Sequence, residues 1–193
     1  MKFLLTVAFF LLLLCSSVQA QTIDTKWYSA TANNGIIIQN SYPKGGRYLG
    51  STNGNYHHSY LVFYTRVSNE TEQPLALNLS FSGDAIPIPN SPDTYVKLFL
   101  PQDTMTLAKQ DLFSYGLTEL ASLEESTEFK RTLSHKEDCL LYVVAVFYQT
   151  CDDDWNHERG GNRAELVLKG QDLFYNMLPQ VDGLACGRIV FNE

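Results

Sequence analysis

The sequence predicts an all-β protein, a two-sheet antiparallel sandwich of immunoglobulin or jelly-roll type with one short helical crossover near residues 107–125. Three observations predict this fold. Apolar segments of strand length recur along the chain, clusters of Gly, Pro, Asn and Asp separate them, and only one segment has helical spacing. The composition, 45% apolar and 18% charged, is that of a globular chain.

The first half of the chain supplies four predicted strands and one edge or corner. "LALNLSFSG" (75–83) has the clearest period of two, because its leucines and Phe81 fall on one face and small or polar residues fall on the other. "DAIPIPNSPD" (84–93) contains three prolines and is therefore predicted as an edge or a corner. The other strands of this half are "NGIIIQNSY" (34–42), "HSYLVFYTRVSN" (58–69) and "TYVKLFLP" (94–101).

The second half repeats this style after one exception. In residues 107–125, Leu112, Leu117, Leu120 and Leu123 are spaced closer to a helix than to a strand, and Gly116 divides the segment. We expect one or two short helical turns that cross between the sheets, and a long loop with a local apolar contact is the alternative. The strands that follow are "CLLYVVAVFY" (139–148), "RAELVLKG" (163–170) and "GRIVF" (187–191), which gives seven or eight strands in all.

Residues 1–20 have the pattern of a cleaved secretory signal. Lys2 provides the positive charge, residues 3–15 form an apolar core too short to span a bilayer, and "VQA" at 18–20 suits a signal peptidase. We therefore expect a secreted, periplasmic or cell-surface protein with no membrane span. Its mature part, residues 21–193, is predicted to be a single β-sandwich domain.

The charge balance excludes one class of partner. The chain has 14 basic and 21 acidic residues, a net charge of −7, and no cluster of Lys or Arg. An acidic surface of this kind repels phosphate backbones, so nucleic acid is not expected as a ligand. Nothing in the sequence predicts a cofactor.

Three cysteines follow the signal, an odd number for an oxidising compartment. Cys139 and Cys151 bracket one predicted strand, whose length holds their Cα atoms roughly 40 Å apart, whereas a disulfide tolerates no more than about 7 Å. Cys186 therefore pairs with one of them, or all three are free. We favour a Cys139–Cys186 disulfide, because both residues open apolar strands.

Several stretches resemble a known group of proteins. "YLVFYTRVSNETEQPLALNLSF" and "RTLSHKEDCLLYVVAVF" resemble the paired strands of immunoglobulin-like sandwiches. Together with the signal ending in "AQ", "QNSYPKGG" and "LVLKGQDLFY", they resemble secreted sandwich proteins of Bacteroidetes-type bacteria. This resemblance implies the fold and export, and it implies no activity.

The densest polar cluster is "CDDDWNHERGGNR" (151–163), predicted to be a hairpin loop. Asp152, Asp154 and Asn156 fit the alternating oxygen ligands of a calcium loop, but His157 stands where such a loop needs Gly and Arg163 where it needs Glu. A solvated loop is thus favoured over a calcium site. A zinc site at His157 has no recognised spacing.

No catalytic motif is present, so no catalytic residue is predicted. The chain lacks a Gly-x-Ser-x-Gly motif and the surroundings of a catalytic cysteine. Trp27 and Trp155 are candidates for stacking on sugar rings. His57 and His58 are adjacent and point to opposite faces of a strand, so they cannot chelate one ion together.

Three classes of function remain. The favoured one is a secreted, non-catalytic β-sandwich whose edge or loops bind a protein or the cell envelope. The alternatives are a carbohydrate-binding module that uses exposed aromatic side chains, and a hydrolase with an unrecognised site. The sequence makes an enzyme the less favoured choice.

Overall fold

The computed structural model describes residues 26–48, 56–89, 91–117, 128–150, 163–178 and 181–191. About two thirds of this part of the chain is β-strand, in two antiparallel sheets that form a sandwich, which confirms the predicted fold class. The strands are β1 (Trp27–Asn33), β2 (Ile36–Ser41), β3 (Lys44–Tyr48), β4 (Tyr56–Asn69), β5 (Leu75–Ser80), β6 (Ile86–Ile88), β7 (Ser91–Phe99), β8 (Glu128–Leu133), β9 (Asp138–Thr150), β10 (Arg163–Lys169), β11 (Asp172–Leu178) and β12 (Val181–Phe191).

Sheet A is the larger sheet, with seven strands in the order β1-β2-β4-β9-β7-β6, and β3 also pairs with β4. Its centre is the long pairing of β4 with β9, which runs from Tyr56 opposite Thr150 to Ser68 opposite Asp138. These two strands are rich in β-branched and aromatic residues, which favour a pleated and buried surface. The proline-containing β6 pairs only with β7, as an edge strand, which agrees with the prediction for residues 84–93.

Sheet B has five strands in the order β10-β11-β12-β5-β8. β12 lies inside this sheet, because Phe191 pairs with Leu75 of β5 and Leu184 pairs with Tyr175 of β11. In β5 the leucines are buried and the alternate residues are half-buried or exposed, which confirms the predicted period of two. The buried leucines of β5 belong to a core cluster that contains residues of both sheets, so this face of sheet B packs on sheet A.

The main core fills the space between the two sheets. Each strand contributes alternate apolar residues to it, so burial follows the pleat of both sheets. Its largest fully buried members include Phe63, Tyr175, Leu75, Leu77, Leu98 and Leu133.

Sheet A also buries its outer face. A second apolar cluster lies there, formed by the opposite set of alternate residues in β4 and β9 together with Trp27, Met105, Tyr115 and Leu117. Residues 100–117, part of the connection from β7 in sheet A to β8 in sheet B, contribute to this outer cluster. Both faces of the central strands are therefore apolar, which is why β4 and β9 read as nearly continuous apolar runs.

The connection contains the predicted helical turns in a shorter form. In its described part, a 3-10 turn occurs at Leu107–Lys109, and a second tight turn at Phe113–Gly116 has left-handed backbone at Ser114 and Tyr115. Leu120 and Leu123 lie outside the described residues, so the rest of the predicted crossover stays a prediction.

A buried asparagine at the end of β4 organises one end of the sandwich. The Asn69 side chain is fully buried, and its Nδ2 donates to the carbonyls of Gln73, Leu133 and Ser134 at 2.9–3.2 Å. Its Oδ1 accepts from the backbone N–H of Thr71 at 3.0 Å and from the Thr71 hydroxyl at 2.6 Å. Asn69 thus ties the β4–β5 turn to the β8–β9 turn.

Candidate functional site

The clearest candidate site is a set of exposed apolar side chains on and beside the β7–β8 connection, called the loop patch. It comprises Leu107, Leu112 and Phe113 of the connection, and Tyr42, whose backbone carbonyl is bonded to Tyr115 of the connection. Their exposed fractions are 49%, 51%, 73% and 49%. Among the described residues, the one other exposed large hydrophobic side chain is Val190 in sheet B. Grouped apolar exposure of this kind marks an interaction surface more often than scattered single residues do.

The backbone beneath the patch adopts a strained conformation. Ser114 and Tyr115 have φ of 46° and 54°, and Gly116 follows with φ of 71°. Left-handed conformations cost about 1–2 kcal/mol for each residue other than glycine. At Gly116 a Cβ would also lie 3.1 Å from Leu112 Cδ1, so both its φ and the close approach favour glycine there. A backbone conformation strained by this amount persists only where contacts with the surrounding structure stabilise it.

Three tyrosine hydroxyls hold the strained turn on sheet A. The Tyr60 hydroxyl and the Ser114 hydroxyl form a buried hydrogen bond of 2.9 Å. Tyr142 donates to the carbonyl of Tyr115 at 2.7 Å, and Tyr115 donates to the carbonyl of Tyr42 at 2.6 Å. Each such bond contributes about 1 kcal/mol, so together they offset the strain.

Lysine side chains satisfy the carbonyls beneath the patch. Lys44 Nζ donates to the carbonyl of Gln110 at 2.6 Å and to that of Leu112 at 3.0 Å, and it lies 4.4 Å from the centre of the Tyr115 ring. Lys109 Nζ donates to the carbonyl of Thr104 at 2.7 Å. These ammonium groups therefore hydrogen-bond to backbone carbonyls of the connection. If another molecule covered the patch, these carbonyls would keep their hydrogen bonds. The described hydrogen bonds therefore hold the backbone beneath the patch in one conformation.

The proposed sugar platform is wrong at Trp27. Its side chain is only 9% exposed and packs in the outer cluster, with its ring 5.2 Å from that of Tyr64 in an edge-to-face contact. Residues of the connection pack in the same cluster, so Trp27 has too little exposed ring surface to stack on a sugar. Trp155 lies outside the described residues.

The expected disulfide between Cys139 and Cys186 is not formed. Both are buried free thiols in different sheets, and they are not at disulfide distance. Cys139 lies beside the β8–β9 turn, at the end of the sandwich where Leu75 pairs with Phe191. Cys186 is five positions along β12 from Phe191, an offset of roughly 16 Å at about 3.3 Å per residue. Both cysteines act as small apolar core residues.

Burial governs the chemistry of these thiols. It raises the pKa of Cys139 to about 12 and the pKa of Cys186 to about 12. Cys186 Sγ donates to the carbonyl of Leu173 at 3.4 Å. At neutral pH both groups are thiols, which are poor nucleophiles.

The calcium candidates Asp152, Asp154 and Asn156 fall in residues 151–162, outside the described part of the chain. Within the described ranges, no group of three His, Cys, Asp or Glu side chains is placed to hold a metal ion. His157 also lies outside the described residues. His135 is exposed, and its Nδ1 lies 2.7 Å from the carbonyl of Thr71. In the pairing of β4 with β9, His57 of β4 lies opposite Gln149 of β9, and His58 lies opposite Tyr148.

Within the part of the chain that the structure describes, two surface carboxylates have shifted pKa values, and both shifts are downward. The ammonium of Lys130, bonded at 2.8 Å, lowers the pKa of Glu128. The backbone N–H of Ser134 donates to Glu137 at 3.0 Å and lowers its pKa. Both carboxylates are therefore charged at neutral pH, whereas a general acid must be protonated there.

Sequence reasoning missed the loop patch for a physical reason. The spacing of Leu112 and Leu117 suggested that both lie on one apolar face. The left-handed turn between them instead places their side chains in different environments. Leu117 is buried in the outer cluster and Leu112 is half exposed. The available signal was the string "LFSYG", in which a glycine directly follows large apolar side chains.

Comparison of the chain with models of protein families, with curated proteins and with solved structures gives no match. Across the described ranges, no helix has the length and apolar character needed to cross a bilayer.

Proposed function

We propose that the protein is a secreted, non-catalytic β-sandwich that binds a protein partner through the loop patch. The observation that carries this proposal is the 73% exposure of Phe113 on a turn that the fold holds in a strained conformation. An exposed aromatic ring on a rigid support is the usual form of a binding hot spot, because little conformational entropy is lost when it is buried. Export rests on the signal pattern of residues 1–20.

The magnitudes favour a protein partner over a lipid surface. Full burial of a Phe or Leu side chain contributes about 1.5–3 kcal/mol, and these side chains are already partly covered. Insertion of three such side chains into a bilayer gives only marginal attachment, of the order of one fatty acyl chain. The net charge of −7 also opposes binding to anionic lipids. A concave apolar pocket encloses more of the Phe113 ring than a flat lipid surface does.

The test is a binding measurement on the surface of the producing cells. The fluorescently labelled protein is titrated onto intact cells, and the variant Phe113→Ser is compared with Val190→Ser, which removes an exposed apolar side chain from sheet B. We expect Phe113→Ser to weaken binding roughly 30-fold, equivalent to about 2 kcal/mol, and Val190→Ser to leave it unchanged. Treatment of the cells with a protease should abolish binding.

Equal binding by the two variants would rule out the patch as the binding surface. Binding that survives protease treatment, or equal binding to phosphatidylcholine vesicles, would rule out a protein partner. Thermal unfolding of both variants serves as the control for folding, since Phe113 is largely exposed and contributes little to the core.

A further inference from the structure

Among the described strands, each sheet ends in strands that have no further strand beside their outer backbone groups. In the described part of the chain these edge strands are β1, β3 and β6 in sheet A, and β8 and β10 in sheet B. A free edge presents a row of N–H and C=O groups that another extended chain can pair with. Proteins that stay monomeric protect such edges with charges, with proline, or with covering side chains.

Four of these five edges have a protecting feature. β6 is only three residues long and contains a proline, and β3 and β8 carry charged residues. The edge of β10 is covered by side-chain amides, because Asn40 binds the N–H and C=O of one residue and Asn33 Nδ2 lies 3.5 Å from the carbonyl of another. The residues that protect the edges of β6, β8 and β10 are Pro87, Glu128, Lys130, Arg131, Asn33 and Asn40, and β3 has the charged residue Lys44 at its start.

β1 lacks all of these features from Ser29 to Asn33. Its irregular pairing lies before that stretch, between Trp27 and Ser29, where the Arg163 guanidinium also lies over the Tyr28 ring. Its seven residues, "WYSATAN", include no charged residue and no proline. Ala30, Thr31 and Ala32 are consecutive and all exposed. Because successive residues of a strand point to opposite faces, this stretch of β1 is open to solvent on both faces. Its small side chains leave the backbone accessible along the edge.

We propose that β1 pairs with β1 of a second copy of this chain, in antiparallel orientation about a two-fold axis at Thr31. This pairing places Ala30 opposite Ala32 of the second copy and Ser29 opposite its Asn33. In a two-fold interface every residue must tolerate its own symmetry mate. A neutral strand of small residues meets that condition without repulsion, whereas the charged strand β8 would bring Lys130 and Arg131 near their own copies. The joined strands form one continuous sheet across both copies.

The test is the oligomeric state of the purified protein, measured by sedimentation velocity over a range of concentrations. We expect a reversible monomer–dimer equilibrium. Thr31→Lys puts two like charges at the two-fold axis, so it should weaken dimerisation by more than about tenfold. The matched control is Thr132→Lys, which makes the same change at an exposed threonine of edge strand β8 and should leave the equilibrium unchanged.

Hydrogen exchange keeps the proposal testable if Thr31→Lys fails to fold. In the unmodified protein, the amides of residues 29–33 that face the free edge should exchange slowly at high protein concentration and rapidly at low concentration. A protein that is monomeric at all concentrations would overturn the proposal. So would a dimer whose β1 amides exchange at the same rate as in the monomer, or one that Thr132→Lys weakens as much as Thr31→Lys.

Discussion

The side-chain amide of Asn40 in sheet A binds both main-chain groups of Leu166 in sheet B. Its Nδ2 donates to the Leu166 carbonyl at 3.3 Å, and its Oδ1 accepts from the Leu166 N–H at 2.9 Å. A side-chain amide here takes the place of a peptide group in a neighbouring strand, so it satisfies the edge of β10 and joins the two sheets. The same Oδ1 accepts from the Thr65 hydroxyl at 3.0 Å.

Asn40→Ala should therefore destabilise the fold strongly. The substitution leaves the N–H and C=O of Leu166 without their partner, at about 1–3 kcal/mol for each buried group. We expect the free energy of unfolding, measured with urea, to fall by about 2–4 kcal/mol. Asn176→Ala is the control, because Asn176 makes an exposed bond of 2.8 Å to the Gly183 N–H, and it should cost less than about 1 kcal/mol. Equal losses would contradict this role of Asn40.

Asn69→Asp should be more damaging than the same change at another strand asparagine. The carboxylate keeps the bonds from Thr71 but faces the carbonyls of Gln73, Leu133 and Ser134 with no hydrogen to donate. An unpaired charge at a fully buried site costs several kcal/mol, about 3–5. Asn78→Asp is the matched control, since Asn78 is half-buried on β5. Urea unfolding of both variants measures the difference, and indistinguishable midpoints would refute the prediction.

Removal of one buried hydroxyl should stabilise the protein. Tyr175 is 1% exposed, and within the described structure its hydroxyl has no hydrogen-bond partner. Tyr175→Phe removes this desolvated group and should raise the free energy of unfolding by about 1 kcal/mol. Tyr142→Phe is the opposite case, because it deletes the donor to the Tyr115 carbonyl and should lower stability by about 1–2 kcal/mol. Urea unfolding that moves both variants in the same direction would contradict this assignment.

Cys139 and Cys186 should resist alkylation in the folded protein. Burial holds their pKa values near 12, so almost no thiolate is present at pH 8. We expect iodoacetamide to modify both residues in guanidinium chloride and neither in buffer, as read by mass spectrometry of the peptides. Rapid labelling in buffer would show that these thiols are accessible.

The same pKa shifts predict a loss of stability at alkaline pH. The unfolded thiols ionise near pH 8.5 whereas the folded ones ionise near 12, so the folded state holds more protons between these values. This contribution to stability is complete below about pH 8.5 and is lost as the pH rises toward 12. The variant Cys139→Ala/Cys186→Ala should show a shallower decline in the denaturation midpoint across that range. An unchanged slope would contradict the prediction.

Local pattern was enough to predict the strands whose two faces differ. The alternation of β5 predicted its buried leucines, and the prolines of residues 84–93 predicted an edge strand. Pattern was insufficient where burial depends on a distant segment. Trp27 is buried because residues of the β7–β8 connection pack on the same face of sheet A, and neither segment indicates this by itself. Strands such as β1, β3 and β11 were missed because small, glycine-rich or mixed segments lack a strong apolar period.

The loop patch could not be predicted from the sequence for a related reason. Which of two leucines in one segment faces solvent depends on the backbone at Ser114 and Tyr115, and positive φ at such residues has no reliable sequence signal. The disulfide was mispredicted because the apolar character of the flanking strands indicates burial and carries no information about how far apart two residues lie along the sandwich.

The position of β12 determines the order in which the chain can assemble. Residues 181–191 are the last described strand in the chain, yet they lie between β5 and β11. Until they emerge from the ribosome, the earlier strands of sheet B have a gap in their middle and the main core lacks one wall. Sheet B and the main core therefore cannot be completed before residues 181–191 have been synthesised.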